Sequence, residues 1–312
     1  MKTVFVVNPK AGKGKNADSL IFKIKEAIQR TGKSAEIYIT KAKGDGESFA
    51  RKYCKEKGAA RFIACGGDGT LSEVLNGAVF YPDAEIGVIP VGTGNDFIRN
   101  FGTNKEFCDI ESQLLGKSIK CDAISYRQIG KNEKKRFCAN MFNIGFDCNV
   151  ADMAQDMKKK VFSGSLAYLC SVFVNLTKKK GANLTIETDG ERTHKGTLLL
   201  TSLANGKYCG GGIKSNPEAS LSDGMMSINI IYNISRLNFL SKLPFYMKGI
   251  HTKLKNIEKV IYSKKCKKVI ITPKEKTMKL CTDGEISLVG KTEFEVVHDA
   301  FNFVIPKVLE KV

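Results

Sequence analysis

The strongest constraint on the fold is an apolar segment that continues into a glycine-rich loop and then into a helical pattern, RFIACGGDGTLSEVLNG at residues 61–77. Residues 61–65 have the composition of a buried strand. The apolar face of the helix that follows consists of Leu71, Val74, Leu75 and Ala78. Thr70 and Glu73 have the S/T-x-x-E spacing of a capping box, which predicts that the helix begins directly after the glycines.

The same order of strand, loop and helix recurs along the first third of the chain. Buried-strand patterns lie at residues 3–7 and 35–40, and helical patterns follow at about 18–30 and 47–57. A further strand ends near Pro90 and leads into a second glycine loop, VGTGNDF. Alternating strands and helices are typical of an open α/β domain with a mostly parallel sheet. We expect such a domain here.

The first glycine loop has the features of a phosphate-binding site. Gly66, Gly67 and Gly69 allow a ligand to approach the backbone closely, and the N-terminus of a helix offers unpaired N–H groups and a partial positive charge. Asp68 would repel a bare phosphate, so it needs a magnesium ion, a ribose hydroxyl or a backbone amide as its partner. A tight turn that holds no ligand is the alternative.

The second loop favours a ligand site over a simple turn. Thr93, Asn95 and Asp96 follow a strand of the same predicted sheet, and ligands of α/β proteins bind at the carboxyl ends of strands. Neither loop has the G-x-G-x-x-G pattern of dinucleotide-binding folds, and AGKGKN lacks the G-K-S/T ending of a P-loop. A different kind of nucleotide site is therefore expected.

The second half of the chain has another pattern. From about residue 126 short strand-like segments follow one another, which predicts an antiparallel sandwich. The boundary is expected near residues 122–135, and the last segment, FEVVHDAFNFVIP, is expected to return to the first domain. Helical segments are expected at 151–178 and 235–255. Lysine clusters that could line a lipid entrance, or merely solvate a helix end, are Lys158, Lys159 and Lys160, then Lys178, Lys179 and Lys180.

Charge and cysteine content restrict the partners and the compartment. The chain has 50 Lys and Arg against 32 Asp and Glu, and the resulting net charge of +18 is expected to attract polyanions or an anionic membrane surface. The ten cysteines form no C-x-x-C pair, which is typical of small buried side chains in a reducing cytosol. Zinc-site spacing and RNA-binding signatures are absent, so nucleic acid is not expected. No apolar segment is long enough to span a bilayer, so membrane contact should be peripheral.

The motifs together resemble a known family. NPKAGKGK, GGDGTLSEVLNG and GTGNDFIRNFG are followed by ASLSDGMMSI at residues 219–228 and CTDGE at 281–285, in the order shown by the diacylglycerol kinase catalytic-domain family. GGDGT alone is also similar to NAD kinases and phosphofructokinases, whereas the later motifs separate those proteins from this chain. The resemblance covers nearly the whole chain, and bacterial soluble diacylglycerol kinases are the most similar type.

The resemblance implies two domains with ATP bound between them. The first is an open α/β sheet like that of NAD kinases and phosphofructokinases, at residues 1–125 with about 296–312 returning to it. The second, at 126–295, is a β-rich sandwich. The implied activity is magnesium-dependent transfer of the γ-phosphoryl group of ATP to a lipid hydroxyl, with diacylglycerol as the expected acceptor and phosphatidic acid as the product.

Two alternatives to this activity stay open: a NAD kinase-like small-molecule kinase, and a basic protein that binds nucleic acid or membranes without catalysis. The resemblance further implies a cytoplasmic enzyme that reaches its lipid at an anionic membrane surface. Dimers occur in the family, so a homodimer is also open.

The family motifs assign roles to individual residues by resemblance. Asp283 and Glu285 of the DGE segment correspond to the catalytic base, with Glu285 expected as the base and Asp283 as its support. In a strand their side chains would share one face, whereas a hairpin turn is the alternative for TDGE. A magnesium ion is implied at Asp223 and Leu221, with Asp122 near it through water. The residues implied to line the nucleotide site are Asn8, Thr40, Gly66, Gly67, Asp68, Gly69, Thr70, Glu73, Thr93, Asn95 and Asp96.

Overall fold

The computed structural model describes residues 1–14, 17–146 and 181–310. The chain divides into two compact units, which are unit 1 (Met1–Asp122 with Asp299–Val312) and unit 2 (Ala123–His298). The two boundaries fall inside two long strands, β5 (Lys117–Gln128) and β15 (Thr292–Ile305).

Unit 1 is a parallel sheet with helices. Its other strands and its helices are β1 (Thr3–Val7), β2 (Ala35–Ile39), β3 (Arg61–Gly66), β4 (Glu85–Pro90), α1 (Ala17–Thr31), α2 (Asp45–Lys57), α3 (Asp68–Ala78), α4 (Asn104–Phe107) and α5 (Ile110–Leu115). The strand order is β2-β1-β3-β4, and the end of β15 adds a further parallel strand through the pairs Asn302 with Glu85 and Phe303 with Ile86. The predicted open α/β fold is confirmed.

The core of unit 1 lies between the sheet and its helices. Phe5, Ile63 and Ile89, from three neighbouring strands, pack with Ile24 and Ala27 of α1. The apolar face predicted for α3 is buried as well. Full burial of an aliphatic or aromatic side chain contributes about 1.5–3 kcal/mol, so this layer holds the strand ends and their loops in fixed positions.

The start of α3 differs from the prediction. The helix begins at Asp68, with Gly67 at its N-cap, so Thr70 lies inside the first turn. Thr70 Oγ1 accepts a hydrogen bond from a side chain that follows β1, and both carboxylate oxygens of Glu73 accept hydrogen bonds from backbone N–H groups at the start of α2. The predicted capping box is therefore wrong, because partners from elsewhere in unit 1 engage both side chains.

Unit 2 is built from antiparallel strands. Its remaining elements are β6 (Arg136–Cys138), β7 (Met141–Gly145), β8 (Ala182–Thr188), β9 (Glu191–Ala204), β10 (Met226–Tyr232), α6 (Arg236–Met247), β11 (Ile261–Cys266), β12 (Lys268–Pro273), β13 (Met278–Thr282) and β14 (Glu285–Val289). The pairing path is β14-β13-β7-β9-β8-β12-β15, with β10 between β9 and β11 and with β6 beside β5. The predicted β-sandwich is confirmed.

Two hydrophobic clusters lie among the described residues of unit 2. The first includes Phe142, Ile186 and Phe294, all fully buried. The second packs α6 against the strands through Phe239 and Tyr246. Among the described residues, this side of the helix is the one that packs on the sandwich.

The helix predicted at residues 235–255 is shorter in the structure. It ends at Met247, and Gly249 then adopts a left-handed conformation with φ of 70° that a helix cannot continue through. Two 3₁₀ turns, His251–Lys253 and Ile257–Lys259, follow it. The helix predicted at 151–178, with its lysine clusters, lies outside the described residues.

Two composition-based expectations can be compared with the described residues. No helix among them has both the length and the apolar character needed to cross a membrane. Of their cysteines, Cys108 is exposed, contrary to the prediction of buried side chains. The buried ones are Cys54, Cys65, Cys121, Cys138, Cys209, Cys266 and Cys281.

Candidate active site

The residues implied to bind a nucleotide lie at one edge of the sheet in unit 1. Strands β1 to β4 are parallel, so their carboxyl ends, at Val7, Ile39, Gly66 and Pro90, meet at the same edge. Apart from Glu73, which lies further along α3, the predicted residues occupy these ends, the loops directly after them and the first turn of α3. A ligand that contacts one of the loops is therefore within reach of the others.

Asn8 and Thr40 are tied into this edge by hydrogen bonds. Asn8 Nδ2 donates to Thr70 Oγ1 at 3.2 Å, and the backbone N–H of Asn8 donates to the carbonyl of Cys65 at 3.0 Å. The backbone N–H of Thr40 donates to the carbonyl of Val7 at 2.9 Å. The end of β1 is thereby linked to α3 on one side and to the end of β2 on the other.

The two glycine loops contact each other through their backbones. The N–H of Val91 donates to the carbonyl of Gly66 at 2.8 Å. A Cβ atom added to Gly92 would lie 2.5 Å from Cα of Gly67, and one added to Gly66 would lie 2.1 Å from Oγ1 of Thr70. Only glycine fits such contacts, so these residues allow the loop after β4 to lie directly against the N-terminus of α3.

Asp68 connects the two loops. Its Oδ1 accepts hydrogen bonds from the backbone N–H groups of Asp96, at 2.9 Å, and Phe97, at 3.4 Å. Of the three partners that the sequence left open, the structure therefore shows the backbone amide. A Cβ atom added to Gly94 would lie 2.8 Å from Oδ2 of Asp68 and 3.7 Å from Oδ2 of Asp96. Two carboxylates thus flank one glycine, and carboxylate oxygens are the donors that magnesium prefers.

Asn95 leaves an unused acceptor in the second loop. It is 3% exposed, has a left-handed φ of 53°, and donates from Nδ2 to the carbonyl of Gly92 at 2.8 Å. Its Oδ1 is buried and has no hydrogen-bond partner within the described residues. A buried acceptor without a donor costs about 1–3 kcal/mol, so a ligand that supplies a donor would gain there. Thr93, two residues earlier, is exposed.

Glu73 has a different position from the rest of the set. Its Oε1 and Oε2 accept hydrogen bonds from the backbone N–H groups of Gly44, at 2.8 Å, and Gly46, at 3.0 Å. A carboxylate at the first turn of a helix interacts favourably with the unpaired N–H groups there. Glu73 therefore holds the start of α2 against α3.

Two residues of this edge were missed in the sequence. Gly12, with φ of 60°, approaches the carbonyl oxygen of Val91, and an added Cβ would lie 2.8 Å from that atom. Arg99 donates from Nη2 to the carbonyl of Gly94 at 3.3 Å, and its Nε lies 3.6 Å from Oδ1 of Asp96. The signals were present, since Gly12 belongs to NPKAGKGK and Arg99 to GTGNDFIRNFG.

The DGE segment of unit 2 is a hairpin turn and not a strand. Asp283 and Gly284 have φ of 45° and 89°, and they join β13 to β14 with Thr282 paired to Glu285. Two residues with positive φ form the type of turn for which Asp-Gly is preferred. The expectation that Asp283 and Glu285 share one strand face is therefore wrong, because Asp283 belongs to the turn itself.

The two carboxyl groups of this turn have unlike surroundings. Asp283 Oδ1 accepts a hydrogen bond from the backbone N–H of Met141 at 2.8 Å, and its own N–H donates to the carbonyl of Met141 at 3.1 Å. Burial of the Asp283 carboxyl group raises its pKa to about 6, although hydrogen bonds from the Met141 backbone and the Cys138 thiol act in the opposite direction. Glu285 begins β14 and is exposed.

The residues implied to hold a structural magnesium ion belong to different units. Asp122, the last residue of the first segment of unit 1, is fully buried, and its Oδ1 accepts a hydrogen bond from the N–H of Asp299 at 2.9 Å. Leu221 and Asp223 belong to unit 2, where Asp223 accepts a hydrogen bond from the N–H of Met225 and forms an ion pair with Lys265. A metal ion at Asp223 would compete with the ammonium group of Lys265.

Unit 2 also contains a partly open cavity of about 250 Å³. Apolar side chains that line it include Ile144, Ala182, Leu184 and Met278. It lies at the ends of β7 and β13, the two strands whose opposite ends hold Met141 and the hairpin at Asp283. Polar and charged residues line it as well, namely Asn183, Glu275, Thr277 and Lys279.

Comparison with known proteins identifies the family. Residues 2–126 match the model of the diacylglycerol kinase catalytic domain, and residues 140–305 match the model of the YegS C-terminal NAD kinase beta sandwich-like domain. The chain is 30% identical over 292 residues to a diacylglycerol kinase of Bacillus subtilis (strain 168), which covers 90% of this chain and 89% of the relative. This chain belongs to the diacylglycerol kinase family.

Further members agree with this family membership. The chain is 30% identical over 286 residues to a diacylglycerol kinase of Staphylococcus carnosus (strain TM300), with 90% of this chain and 87% of the relative covered. A crystal structure described as a diacylglycerol kinase from Bacillus anthracis superposes with a TM-score of 0.70 at 20% identity, covering 99% of this chain and 98% of the other. At that identity the superposition supports the fold alone.

Proposed function

We propose that this lipid kinase transfers the γ-phosphoryl group of ATP, with magnesium, to the hydroxyl group of diacylglycerol and forms phosphatidic acid. The observation that carries the proposal is the direct contact of the two glycine loops at the N-terminus of α3, with the carboxylates of Asp68 and Asp96 both close to Gly94. Phosphoryl transfer depends chiefly on positioning and on neutralising charge, and this arrangement has groups for both.

The nucleotide phosphates would lie at the N-terminus of α3, where the first backbone N–H groups of a helix have no intrahelical partner. Thr70, in the first turn of α3, and Asn8 would contribute polar groups beside the phosphates. The hydrogen bond between their side chains holds the two residues together there. Asn95 Oδ1 would accept a hydrogen bond from the nucleotide, which would satisfy an acceptor that is otherwise buried without a partner.

Asp68 and Asp96 would hold the magnesium ion, which when bound neutralises phosphate charge. Oδ2 of Asp68 is the oxygen that lies near Gly94, on the same side as Oδ2 of Asp96, and it would face the ion. Arg99, beside Asp96, balances part of the carboxylate charge.

Glu285 would take the proton of the lipid hydroxyl, and Asp283 would position it. Glu285 is exposed at the start of β14, so a substrate can reach it. Asp283 accepts a hydrogen bond from the backbone N–H of Met141 through Oδ1 and donates one from its own N–H to the Met141 carbonyl, which fixes the hairpin and hence the direction of β14. A general base must lie within hydrogen-bond reach of the proton that it accepts, so a fixed turn serves the reaction.

A labelled-ATP assay tests the proposal. Wild-type protein is incubated with magnesium and diacylglycerol in mixed micelles, and parallel reactions contain NAD or no acceptor. We expect phosphatidic acid as the labelled product only when magnesium and the lipid are both present. Labelled NADP in the absence of any lipid product would instead favour a small-molecule kinase.

Substitutions of Asp68 and Glu285 test the roles proposed for their carboxyl groups. Asp68→Asn and Glu285→Gln should each lower kcat by at least about 100-fold, since general acid–base and positioning effects contribute roughly 10²–10⁴-fold. Thermal unfolding of both variants should confirm that the fold is kept. Glu218→Gln, far along the chain from the DGE segment, is the matched control and should retain wild-type turnover. Near-normal turnover in a folded Glu285→Gln variant would rule out Glu285 as the base.

A further inference from the structure

Helix α6 of unit 2 has two distinct sides. Phe239 and Tyr246 are buried in the second core cluster, and Leu240, Leu243 and Met247 pack beside them. The exposed residues begin with Leu237 and follow it by 4, 7, 8 and 11 positions. These spacings place them on one outward face of a helix. This outward face consists of Leu237, Ser241, Pro244 and Phe245, and it continues at Lys248, directly after the last residue of the helix.

The outward face is unusually apolar for a helix on a protein surface. Leu237 is 80% exposed and Phe245 is 39% exposed, and Ile250, three residues after the helix, is also 39% exposed. The solvent-facing side of such a helix normally carries charged and polar residues. Clustered exposed apolar side chains indicate an interaction surface.

The chain segment that contains this face carries charge of a single sign. The segment from Gly224 to Ile257 contains no Asp or Glu, although the chain has 32 acidic residues. Its basic residues are Arg236, Lys242, Lys248, Lys253 and Lys255. Lys242 is hydrogen-bonded to Asn238 of the same helix, and Lys248, Lys253 and Lys255 are exposed.

We propose that the outward face of α6, with Ile250 and the lysines beside it, docks the protein on an anionic bilayer. Leu237, Phe245 and Ile250 would enter the boundary between headgroups and acyl chains, while the lysines contact anionic headgroups. A helix with apolar residues on its free face and basic residues next to them lies in the plane of a membrane interface. The proposal rests on the proposed function, because a diacylglycerol substrate resides in a bilayer.

The charge pattern selects the bilayer over a second copy of this chain. In a symmetric dimer formed through this face, the same surface would meet itself, and the lysines of one copy would lie near those of the other. No acidic residue lies between Gly224 and Ile257 to compensate. An anionic bilayer supplies both the opposite charge and an apolar layer for the three exposed side chains.

Vesicle sedimentation tests the docking face. The variant Leu237→Ser/Phe245→Ser removes two exposed apolar groups, and Phe22→Ser/Leu288→Ser removes two of similar exposure, 63% and 66%, elsewhere on the surface. With vesicles of phosphatidylcholine and phosphatidylglycerol in 0.1 M salt, we expect at least tenfold weaker binding for the α6 pair and less than a twofold change for the control pair. Thermal unfolding should show that both variants are folded.

A charge variant provides the second arm. Lys248→Glu/Lys253→Glu should also weaken binding at least tenfold, and the loss should shrink as salt is raised. Binding of the α6 variants at wild-type strength would overturn the proposal, as would equal binding of wild type to pure phosphatidylcholine. A wild-type dimer that the Leu237→Ser/Phe245→Ser change converts to a monomer, with unchanged vesicle binding, would show that the face joins two copies.

Turnover separates this proposal from the proposed function. The α6 variants should phosphorylate a short-chain diacylglycerol in detergent micelles at rates within twofold of wild type, and should lose at least tenfold on vesicle-embedded diacylglycerol. If wild type phosphorylates no lipid but binds vesicles through α6, docking stands and the function fails. If wild type and the variants are equally active on vesicles, the function stands and docking fails.

Discussion

Asp283 shows how one residue can differ from its neighbour in the same motif. The sequence places Asp283 and Glu285 two positions apart and offers no reason to treat their carboxyl groups differently. The turn buries the carboxyl group of Asp283 against the backbone of Met141 and leaves Glu285 exposed. Met141 lies 142 positions away in the chain, so no local pattern could have indicated this contact.

This burial predicts a pH dependence of stability. Burial raises the Asp283 pKa to about 6 from 3.8, so between these values the folded state binds the proton more tightly than the unfolded state. The contribution of Asp283 to the free energy of unfolding therefore falls as pH rises from 4 to 6, by up to about 3 kcal/mol. Asp283→Asn keeps an acceptor for Met141 but removes the titration.

Urea unfolding of wild type and Asp283→Asn in the same buffers at pH 4, 5, 6 and 7 measures this effect. The difference in unfolding free energy between the two proteins should shift in favour of wild type as pH is lowered from 7 to 4. A difference that stays constant over this range would contradict a buried titrating carboxyl group.

Asp223 allows a prediction about magnesium. If the ion binds there, it must displace Lys265, whose ammonium group pairs with the carboxylate in the structure. Magnesium should then raise the melting temperature of wild type, because a ligand that binds the folded state stabilises it. The rise should be smaller in Asp223→Ala, which lacks the carboxylate, and larger in Lys265→Met, which lacks the competing ammonium group. Differential scanning fluorimetry over a magnesium titration measures this, and an identical magnesium response in all three proteins would exclude the site.

At the scale of elements, local signals predicted the presence of α3 but not its contacts. The apolar spacing gave the helix, and Asp-Gly in TDGE is the dipeptide of the turn that the structure contains. The capping box failed because Asn8 and the start of α2 supply partners for Thr70 and Glu73. Side-chain spacing shows which local hydrogen bonds are possible, whereas contacts with residues distant in sequence determine which hydrogen bonds form.

Because the two glycine loops are in direct contact, a single methyl group added at Gly92 should lower stability and weaken ATP binding. A Cβ atom in Gly92→Ala would lie 2.5 Å from Cα of Gly67 and 3.0 Å from Oδ1 of Asn95, so the loop after β4 must move away from α3. We expect a loss of about 1–3 kcal/mol in unfolding free energy and a clear rise in the KM for ATP. Gly290→Ala is the matched control, because its added Cβ meets no atom closer than 3.7 Å. Equal KM values in the two variants would show that the contact does not shape the nucleotide site.

At the scale of the whole molecule, periodicity predicted both architectures. Alternating strands and helices gave the parallel sheet of unit 1, and successive short strands gave the antiparallel sandwich of unit 2. The register of β15, which pairs with β12 in unit 2 and with β4 in unit 1, depends on partners far away in the chain. Sequence patterns indicate that a strand exists, whereas its partners are set by the packing of the complete sheet.

The net charge of +18 is a property of the whole chain and predicts salt-sensitive membrane binding. Each basic residue near an anionic surface contributes about 1 kcal/mol, and the attraction decays within a Debye length of about 10 Å at 0.1 M salt. Vesicle sedimentation should show binding that rises with phosphatidylglycerol content and falls as salt increases.

The triple change Lys158→Gln, Lys159→Gln and Lys160→Gln should weaken this binding by up to roughly 100-fold if that segment lies at the surface of the bilayer. Lys52→Gln, Lys55→Gln and Lys57→Gln on α2 alter the net charge by the same amount and serve as the control. Equal losses in the two variants would mean that only the total charge matters. Equally strong binding of wild type to neutral vesicles at high salt would mean that apolar insertion, and not charge, drives the association.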